Sequence, residues 1–238
     1  MIDVKARTQT LLPRDLDVAP VAPYLLSVQE PLLYAWAKRC FDIVVSLLLL
    51  LAFSPLLVVI ALLIRLDSPG PAIFRQRRVG KGGQEFTLYK FRSMHHKADE
   101  GVHRLFARKY IRGQGETDEH GRYKPKSDPR VTRVGHILRL TSLDELPQLV
   151  NVLRGEMSLV GPRPAVRYEV DEYERWHSQR LAVLPGLTGL AQISGRSGLS
   201  FDKIVRLDLK YVESRSFGLD LKIVLLTVPM VLFAKCAG

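Results

Sequence analysis

The longest apolar segment of the chain is Ile43–Ile64, which holds 22 residues without a charged side chain. A helix of about 20 apolar residues is long enough to cross the hydrocarbon core of a bilayer. Ser54 and Pro55 stand at the centre of this segment, and a proline inside a helix removes a backbone donor and breaks or kinks the helix. The pattern therefore predicts a membrane element of two helical halves that meet at Ser54-Pro55.

Basic residues flank this segment on both sides, with Lys38 and Arg39 before it and Arg65 after it. A helix that spans a membrane once usually carries its excess of Lys and Arg on the cytoplasmic side only. Because neither end looks external, we predict a re-entrant helix-break-helix over residues 36–66 that enters one leaflet and returns to the same face. A spanning helix with a kink at Pro55 is the alternative, since spanning helices tolerate proline.

The rest of the chain combines a small β-hairpin with several amphipathic helices. Strand patterns over Ala72–Val79 and Glu85–Met94 flank a glycine-rich turn, which is typical of a hairpin. The last apolar run, Ile223–Ala234, is too short to span a membrane and suits either an interfacial helix or a buried core helix. We therefore expect a helix-dominated α/β monotopic membrane protein with interfacial helices. The other segments with helical spacing are Val102–Ile111, Val131–Leu153, Tyr168–Leu184 and Phe201–Val212.

The 238 residues suit one catalytic domain plus a membrane element. We predict a flexible N-terminal arm at residues 1–35, the membrane element at 36–66, and a cytoplasmic catalytic domain at 67–238 with a polar insertion at 95–130. The two cysteines lie far apart in the sequence, so they suggest neither a disulfide framework nor a metal site. A reducing compartment fits this cysteine usage.

The chain is strongly basic, with a net charge of +11. Between Arg65 and Arg139 there are 18 Lys and Arg residues against 8 Asp and Glu residues. Such a balance suits anionic partners, namely phosphates, nucleotides, acidic lipid head groups or nucleic acid. Because the chain also carries a hydrophobic anchor, lipid and phosphate substrates are favoured over nucleic acid.

Two pairs of cationic side chains lie on the predicted hairpin. Side chains alternate along a strand, so Arg75 and Arg77 share one face of the first strand, and Lys90 and Arg92 share one face of the second. Such pairs can bind a diphosphate. They are also typical of a solvated strand edge, where charge deters aggregation.

The adjacent acids Asp144 and Glu145 are the sharpest local signal in the sequence. Ser142-Leu143-Asp144-Glu145 has the Ser-x-x-Glu pattern of a helix capping box, which is the structural alternative. However, Arg139 precedes the acids, and Arg163 follows within a rigid Gly-Pro-Arg-Pro turn. A carboxylate can attack phosphorus, a divalent ion can bridge carboxylates and phosphates, and arginines can bind the remaining oxygens. The acids and arginines together therefore favour phosphoryl chemistry.

From Tyr34 to Lys235 the chain resembles the bacterial sugar transferases of the monotopic phosphoglycosyl transferase superfamily. The resemblance rests on many motifs that occur in the family's order. They are Lys38-Arg39 with Phe41-Asp42; Ser54-Pro55; Pro69-Gly70-Pro71 with Phe74, Gln76 and Arg78; Tyr89-Lys90-Phe91-Arg92-Ser93-Met94; Leu143-Asp144-Glu145-Leu146-Pro147-Gln148; Asn151-Val152 with Gly155; Ser158-Leu159-Val160-Gly161-Pro162-Arg163-Pro164; Pro185-Gly186 with Thr188-Gly189 and Gln192; Gly195-Arg196; and Asp208 with Tyr211.

The resemblance implies a reaction in which Asp144 attacks the sugar-linked phosphorus of a UDP-sugar and UMP leaves. Polyprenyl phosphate, undecaprenyl phosphate in bacteria, then takes the phosphosugar from the aspartyl enzyme. It also implies that Asp144 and Glu145 bind Mg²⁺, and that Glu145 assists through the metal or a proton. UDP-glucose and UDP-galactose are the expected donors. The residues expected to hold phosphates or nucleotide are Lys90, Arg92, Arg139, Arg163 and Arg196.

The same resemblance places the protein on the cytoplasmic face of the bacterial inner membrane, in contact with membrane lipids, at the first membrane step of exopolysaccharide or surface glycan synthesis. The oligomeric state is left open, with a homodimer among the options. Two alternatives to covalent catalysis also stay open. One is metal-dependent direct transfer through a ternary complex, and the other is a non-catalytic basic scaffold that binds membranes, which would leave the acidic pair unexplained.

Overall fold

The protein is described by a computed structural model that covers residues 30–96, 101–114, 128–195 and 198–232. Most of the predicted arm at 1–35, parts of the insertion at 95–130, and Arg196 lie outside these residues. The α-helices are α1 (Leu32–Asp67), α2 (Gly101–Ile111), α3 (Arg133–Thr141), α4 (Leu149–Arg154), α5 (Arg167–Val170), α6 (Arg175–Ser178), α7 (Leu190–Ile193), α8 (Phe201–Ser214) and α9 (Phe217–Leu232). The strands are β1 (Ile73–Val79), β2 (Glu85–Phe91), β3 (Ser158–Val160) and β4 (Gly186–Thr188), and the 3-10 helices are Lys81–Gly83, Leu143–Gln148 and Gln179–Ala182.

Helix α1 is continuous over 36 residues and carries Pro55 in its interior. Pro55 has no N–H to donate, so the carbonyl of Leu51, four residues earlier, loses its usual helical partner. The hydroxyl of Ser54 donates to that carbonyl at 2.8 Å and replaces the missing bond. Helical structure therefore continues through Ser54-Pro55, so the predicted interruption of the helix is wrong, whereas a kink at Pro55 stays a prediction.

Both halves of α1 pack one side against the rest of the protein and leave the other side uncovered. Phe41, Val45 and Leu49 contact the main core, whereas Ile60 and Ile64 are buried in a second cluster with residues of β2 and α3. The helix is long and apolar enough to cross a membrane, judged by length and composition alone. Re-entry into one leaflet stays a prediction. The uncovered side includes Val44, Leu48, Leu51, Val58 and Leu62.

Polar side chains fix the N-terminal half of α1 to the body. Arg39 donates to the two carbonyls at the end of α4 at 2.6 and 2.8 Å. The buried carboxylate of Asp42 accepts from the N–H of Leu159 at 3.1 Å and pairs with Lys38 at 3.1 Å. The two basic residues that served as topological signals in the sequence therefore also hold the helix in place.

The C-terminal end of α1 is fixed to the same body. Asp67, the last residue of the helix, accepts a hydrogen bond from the N–H of Val134 at 3.0 Å. Val134 lies in the first turn of α3, where helical N–H groups have no partner within the helix. One body therefore holds both ends of the long apolar helix.

Strands β1 and β2 form the predicted antiparallel hairpin. The 3-10 helix Leu143–Gln148 packs against β2, and Asn151 of α4 adds a second contact. The side-chain amide of Asn151 accepts from the N–H of Tyr89 at 3.1 Å and donates to the carbonyl of Thr87 at 2.7 Å. Strand β2 is thus bonded to α4 much as it would be to another strand, which fixes the hairpin beside the two acids.

The helical pattern predicted over Val131–Leu153 is divided into α3, a 3-10 helix and α4. The division falls at Ser142, whose φ of 56° makes it the one non-glycine residue with positive φ in the part of the chain that the structure describes. A left-handed residue at the end of a helix stops it and turns the chain. Asp144 and Glu145 therefore follow a sharp turn and do not continue α3.

The turn that carries Arg163 emerges from a tight crossing of two chain segments. Strand β3 pairs in parallel with β4, and Gly161 donates to the carbonyl of Thr188 at 2.9 Å. Gly186 donates to the carbonyl of Pro162 at 2.8 Å. A Cβ on either glycine would overlap the backbone of the other segment. Only glycine fits at this crossing, which sets where the Pro-Arg-Pro turn begins.

The single amphipathic helix predicted over Tyr168–Leu184 is wrong, because this segment folds as α5, α6 and a 3-10 turn. Local hydrogen bonds compete with a continuous helix here, since the N–H of Glu174 donates to Nδ1 of His177 at 3.1 Å. Arg180 at the end of the segment is buried in an ion pair with Asp208 of α8. Tertiary contacts of the charged residues thus replace the regular helix.

Helix α9 has one buried and one uncovered face. The carboxylate of Asp220 is fully buried and accepts from the hydroxyls of Tyr34 at 2.9 Å and Tyr211 at 2.7 Å. Ile223 is buried on the same side. The helix is therefore not the fully buried core helix that was one alternative for this run, and an interfacial position stays a prediction. The uncovered apolar side chains are Phe217, Leu221, Leu225, Leu226 and Val228.

Candidate active site

Asp144 and Glu145 lie in the first turn of the 3-10 helix Leu143–Gln148 and line an open groove. The side chain of Ser142 makes no capping hydrogen bond. The N–H of Glu145 instead donates to the backbone carbonyl of Ser142 at 3.2 Å. The capping-box interpretation is therefore wrong, and both carboxylates belong to the wall of the groove.

Three cationic side chains from three different elements surround the acidic pair. Lys90 comes from β2, Arg139 from the last turn of α3 and Arg163 from the turn after β3. The charge of each one favours the ionised form of Asp144. Nη1 of Arg163 also lies 3.4 Å from Oε1 of Glu145. The structure thus brings the acidic pair and these three predicted cations together in one groove, which Arg92 also lines, whereas Arg196 lies outside the described residues.

Asp144 and Lys90 both have pKa values shifted toward neutrality. The pKa of Asp144 is raised to about 6, first by burial and then by the charge of Glu145, although the surrounding cations oppose the shift. The pKa of Lys90 is lowered to about 8 by burial and by the positive charge of Arg78. The ammonium of Lys90 lies 5.2 Å from the centre of the Phe74 ring. Such shifts within a groove are typical of functional sites.

Arg92 does not join this group. Its buried guanidinium donates to the carbonyls of Ile64, Ser68 and Pro69 and to the Ser68 hydroxyl, at distances from 2.6 to 3.2 Å. Carbonyls at the C-terminal end of a helix carry partial negative charge, which a cation stabilises. The phosphate contact predicted for Arg92 is therefore replaced by a structural role, which is to bind the end of α1.

The other predicted cationic pair, Arg75 and Arg77, lies on the face of the hairpin opposite Lys90. The guanidinium of Arg75 is 5.9 Å from the centre of the Tyr89 ring, and Arg77 pairs with Glu85 at 3.2 Å. Both arginines are exposed. The alternative of a solvated strand edge is therefore correct for this pair.

Arg78 is a candidate site residue that the sequence analysis did not select. It is buried on the same face of the hairpin as Lys90, whose pKa it lowers. Nη1 of Arg78 donates to the carbonyl of Pro164 at 3.0 Å, and Nη2 donates to the side chain of Gln76 at 2.8 Å. The hairpin register contains the missing signal, because it pairs even-numbered residues with even-numbered residues and so puts Arg78 and Lys90 on one side.

The groove continues from this charged centre onto apolar surface. Its charged part contains the acidic pair and its surrounding cations. Its apolar part is formed by side chains of the two helices that expose apolar faces, α1 and α9. These side chains are Leu49, Phe53, Leu62, Val224, Val228 and Val231. The groove can therefore accept a molecule that has a phosphorylated head and a hydrocarbon tail.

The acidic pair fits a magnesium ion. Asp144 and Glu145 offer adjacent carboxylates, the ligands that Mg²⁺ prefers in proteins. Within the described residues, no group of three or more His, Cys, Asp and Glu side chains is gathered. Mg²⁺ in enzymes that act on phosphates usually keeps several waters and binds phosphate oxygens, so two protein ligands suffice. A cation between the two carboxylates would also relieve the repulsion that raises the pKa of Asp144.

The sequence matches the family model of the bacterial sugar transferases over residues 33–234. The chain belongs to the bacterial sugar transferase family. The resemblance inferred from the ordered motifs is thereby confirmed, and so is the prediction that the protein is a transferase.

Several relatives are 43–45% identical to this chain over 82–84% of its length. The exopolysaccharide production protein ExoY of Rhizobium meliloti is 43% identical over 84% of this chain and 87% of its own length. A UDP-glucose:undecaprenyl-phosphate glucose-1-phosphate transferase of Caulobacter vibrioides is 45% identical, over 82% of this chain and 69% of the relative. The undecaprenyl-phosphate galactose phosphotransferase of Salmonella typhimurium is 44% identical over 82% of this chain, which spans only 40% of that longer relative.

Proposed function

We propose that this bacterial sugar transferase moves a hexose 1-phosphate from a UDP-sugar to polyprenyl phosphate and releases UMP. Asp144 carries the phosphosugar covalently between the two substrates. UDP-glucose and UDP-galactose are the proposed donors and undecaprenyl phosphate the proposed acceptor, because relatives bear names with these sugars and this lipid. The reaction would begin exopolysaccharide synthesis, the process named for ExoY.

The observation that carries this proposal is the position of Asp144. Its carboxylate lies among three cations and beside a second carboxylate, in a groove that continues onto apolar surface. Cations fixed around a nucleophile stabilise the charge that builds up on phosphate oxygens as they react. With a pKa of about 6, Asp144 is mostly ionised at neutral pH and is available for attack.

Each of the two proposed steps exchanges one bond to phosphorus. In the first step, a carboxylate oxygen of Asp144 attacks the phosphorus that bears the sugar, and the bond from that phosphorus to the oxygen of UMP breaks. In the second step, an oxygen of polyprenyl phosphate attacks the same phosphorus, and the bond to Asp144 breaks. The carboxylate is regenerated, so two bulky anionic substrates use one site in turn.

In this proposal Asp144 and Glu145 hold Mg²⁺, while the cationic side chains bind the phosphates. When bound, the ion supplies positive charge to phosphate oxygens and reduces their repulsion by the carboxylates. Lys90 and Arg139 lie beside the nucleophile. Arg163 is the most exposed of the three cations and stands on a rigid turn, which suits contact with the incoming substrate.

We also propose that the protein is monotopic on the cytoplasmic face of the bacterial inner membrane. Arg39 and Asp67 tie opposite ends of α1 to one body. If α1 spanned the bilayer, the body that holds both of its ends would have to extend across the hydrocarbon core, which is unfavourable for its charged side chains. The uncovered apolar faces of α1 and α9 would then contact membrane lipids, with the groove at the lipid–water boundary.

The decisive experiment incubates the protein in nanodiscs with UDP-glucose or UDP-galactose labelled at the sugar-side phosphate, without a lipid acceptor. We expect label on the protein and an equal amount of UMP, because the first step needs no acceptor. Asp144→Asn should abolish both signals. Asp171→Asn, which alters an exposed acid in a surface ion pair, should leave both unchanged.

Two other results would replace the proposal. If UMP forms only after polyprenyl phosphate is added, and an active enzyme never carries label, the transfer is direct and proceeds through a ternary complex. If no turnover occurs with either sugar, while binding to anionic vesicles falls steeply with added salt, the protein is a basic scaffold.

A further inference from the structure

Ser93 lies between the membrane helix and the nucleophile. It is buried at the end of the hairpin, directly after Arg92. Its hydroxyl accepts a hydrogen bond from Nε of Arg139 at 2.9 Å. Arg139, in the last turn of α3, lines the same groove as Asp144, which lies in the first turn of the 3-10 helix that follows. One serine hydroxyl therefore contacts a cation in the groove of the proposed nucleophile.

The backbone of Ser93 is fixed on both sides. On one side, Arg92 donates to three carbonyls around the C-terminal end of α1. On the other side, the carbonyl of Ser93 accepts from the N–H of Thr132 at 3.1 Å, at the N-terminal cap of α3. Gly135 in the first turn of α3 lies so close to the Ser93 carbonyl that a Cβ there would overlap it. The hairpin end is therefore held between α1 and α3.

This arrangement determines which part of Arg139 is free to bind substrate. A guanidinium has donors on Nε and on two terminal nitrogens. When Nε is held by Ser93, the planar group keeps one orientation. An unrestrained guanidinium would lose rotational freedom, and therefore entropy, when substrate binds. The hydrogen bond to Ser93 restricts the guanidinium before binding, so less entropy is lost at that step.

We propose that Ser93 is a positioning residue that fixes the guanidinium of Arg139 beside Asp144, and that Arg92 ties this unit to the end of α1. The inference rests on the proposed function, because it assigns a role in that reaction. Ser93 touches neither substrate nor nucleophile and acts through Arg139 alone. The C-terminal end of the membrane helix is thereby part of the frame of the active site.

The structure supplies a matched control for testing Ser93. Ser68 is also a buried serine whose hydroxyl accepts from a guanidinium, that of Arg92 at 3.0 Å. Ser93→Ala and Ser68→Ala therefore remove the same chemical group and the same kind of bond. Only the first of these bonds belongs to an arginine beside Asp144. Arg92 keeps its three carbonyl acceptors when the Ser68 hydroxyl is removed, so its tie to the end of α1 remains in the control. We expect Ser93→Ala to lower kcat for UMP release about tenfold, the effect of ~1.4 kcal/mol on the barrier, and Ser68→Ala to leave kcat unchanged.

A double-mutant cycle separates positioning from a general loss of structure. If Ser93 acts only through Arg139, Ser93→Ala should have no further effect on kcat when Arg139 is already replaced by Lys, which lacks Nε. If Ser93→Ala lowers kcat by the same factor in the Arg139→Lys background as in the wild type, the two residues act independently and the inference is overturned. Ser93→Cys, which keeps the size but offers a weak acceptor, should match Ser93→Ala. If the alanine variant fails to fold, the cysteine variant alone decides the cycle.

The failure of this inference is distinguishable from that of the proposed function. Wild-type protein that releases UMP and carries label supports the function whatever Ser93 does. Equal kcat values for wild type and a folded Ser93→Ala variant would overturn only the positioning role. Melting temperatures of all variants, measured in the same nanodiscs, show whether a loss of kcat follows a loss of stability.

Discussion

Burial and neighbouring charges bring the proton equilibria of Asp144 and Lys90 close to neutral pH. Asp144 shares its surroundings with Glu145, which disfavours a second negative charge. Lys90 shares its surroundings with Arg78, which disfavours a second positive charge. The proposed reaction needs an ionised carboxylate for attack and a charged ammonium for phosphate binding. The two groups are in these states together only in a limited pH range.

We therefore expect a bell-shaped dependence of UMP release on pH. The rate should rise as Asp144 ionises, with a pKa of about 6, and fall as Lys90 loses its proton, with a pKa of about 8. Bound Mg²⁺ would lower the pKa of Asp144 and a bound phosphate would raise that of Lys90, so both would widen the bell without reversing its limbs. Lys90→Arg should remove the basic limb, because a guanidinium stays charged throughout this range. A basic limb that is identical in Lys90→Arg would show that Lys90 does not cause it.

The sequence analysis grouped the acidic pair with Arg139 and Arg163 from residue type and proximity in the chain, and the structure places these four residues in one groove. Prediction from the sequence failed where long-range contacts determine which way a side chain points. Arg92 continues the alternation of Lys90, but its strand ends at Phe91 and its side chain turns to the carbonyls of α1. No local pattern in the sequence indicates that contact.

At the level of elements, α1 shows how a proline can stay inside an apolar helix. The hydroxyl of Ser54 bonds to the carbonyl that Pro55 leaves without a partner. The sequence located the lost backbone hydrogen bond at Pro55, but it did not indicate that the Ser54 hydroxyl replaces this bond, because that depends on the orientation of one side chain. The hairpin was predictable from its alternation and glycine-rich turn. The division of the Val131–Leu153 segment was not, because it depends on the left-handed conformation of Ser142.

The contact of Asp42 with the body predicts a large effect on stability. Asp42→Ala would leave Lys38 and the N–H of Leu159 without this partner. Lys38 keeps Asp220 as a partner at 3.6 Å, so the cost comes chiefly from the buried N–H of Leu159, which is left without an acceptor, and should be about 1–3 kcal/mol. We expect a clear drop in the melting temperature in nanodiscs, together with lower activity because β3 leads to Arg163.

Asp171→Ala is the matched control for Asp42→Ala, because it also removes an aspartate from an i, i+4 ion pair. This pair, with Arg167, is exposed and should contribute less than about 1 kcal/mol. Similar melting temperatures for the two variants would show that the buried contacts of Asp42 are not what holds α1.

At the scale of the whole molecule, one body holds both ends of a helix that is apolar along its length. Arg39 binds the end of α4, and Asp67 binds the start of α3. The sequence suggested this arrangement through basic residues at both ends of the apolar run. It did not reveal the crossing of β3 and β4, because that crossing joins glycines 25 residues apart, Gly161 and Gly186.

The positions of the two helix ends predict the outcome of a labelling experiment in intact cells. Single cysteines at Trp36 and Leu66, both exposed, are introduced after the native cysteines are replaced by serine. We expect a membrane-impermeant thiol reagent outside the inner membrane to label neither position, and a permeant reagent to label both. Labelling of one position by the impermeant reagent would show that α1 spans the bilayer.

The groove's continuity with the apolar sides of α1 and α9 bears on how a product departs. An enzyme pocket enclosed by polar walls would force a lipid-linked sugar to pass through water, at a cost of about 0.8 kcal/mol for each exposed methylene. Here the hydrocarbon tail can stay in contact with apolar surface throughout, since Leu49, Phe53 and Val228 line the same groove as the charged centre. If the proposed function is correct, the lipid-linked product leaves the groove laterally into the leaflet. The length of its hydrocarbon chain then contributes little to the barrier for release.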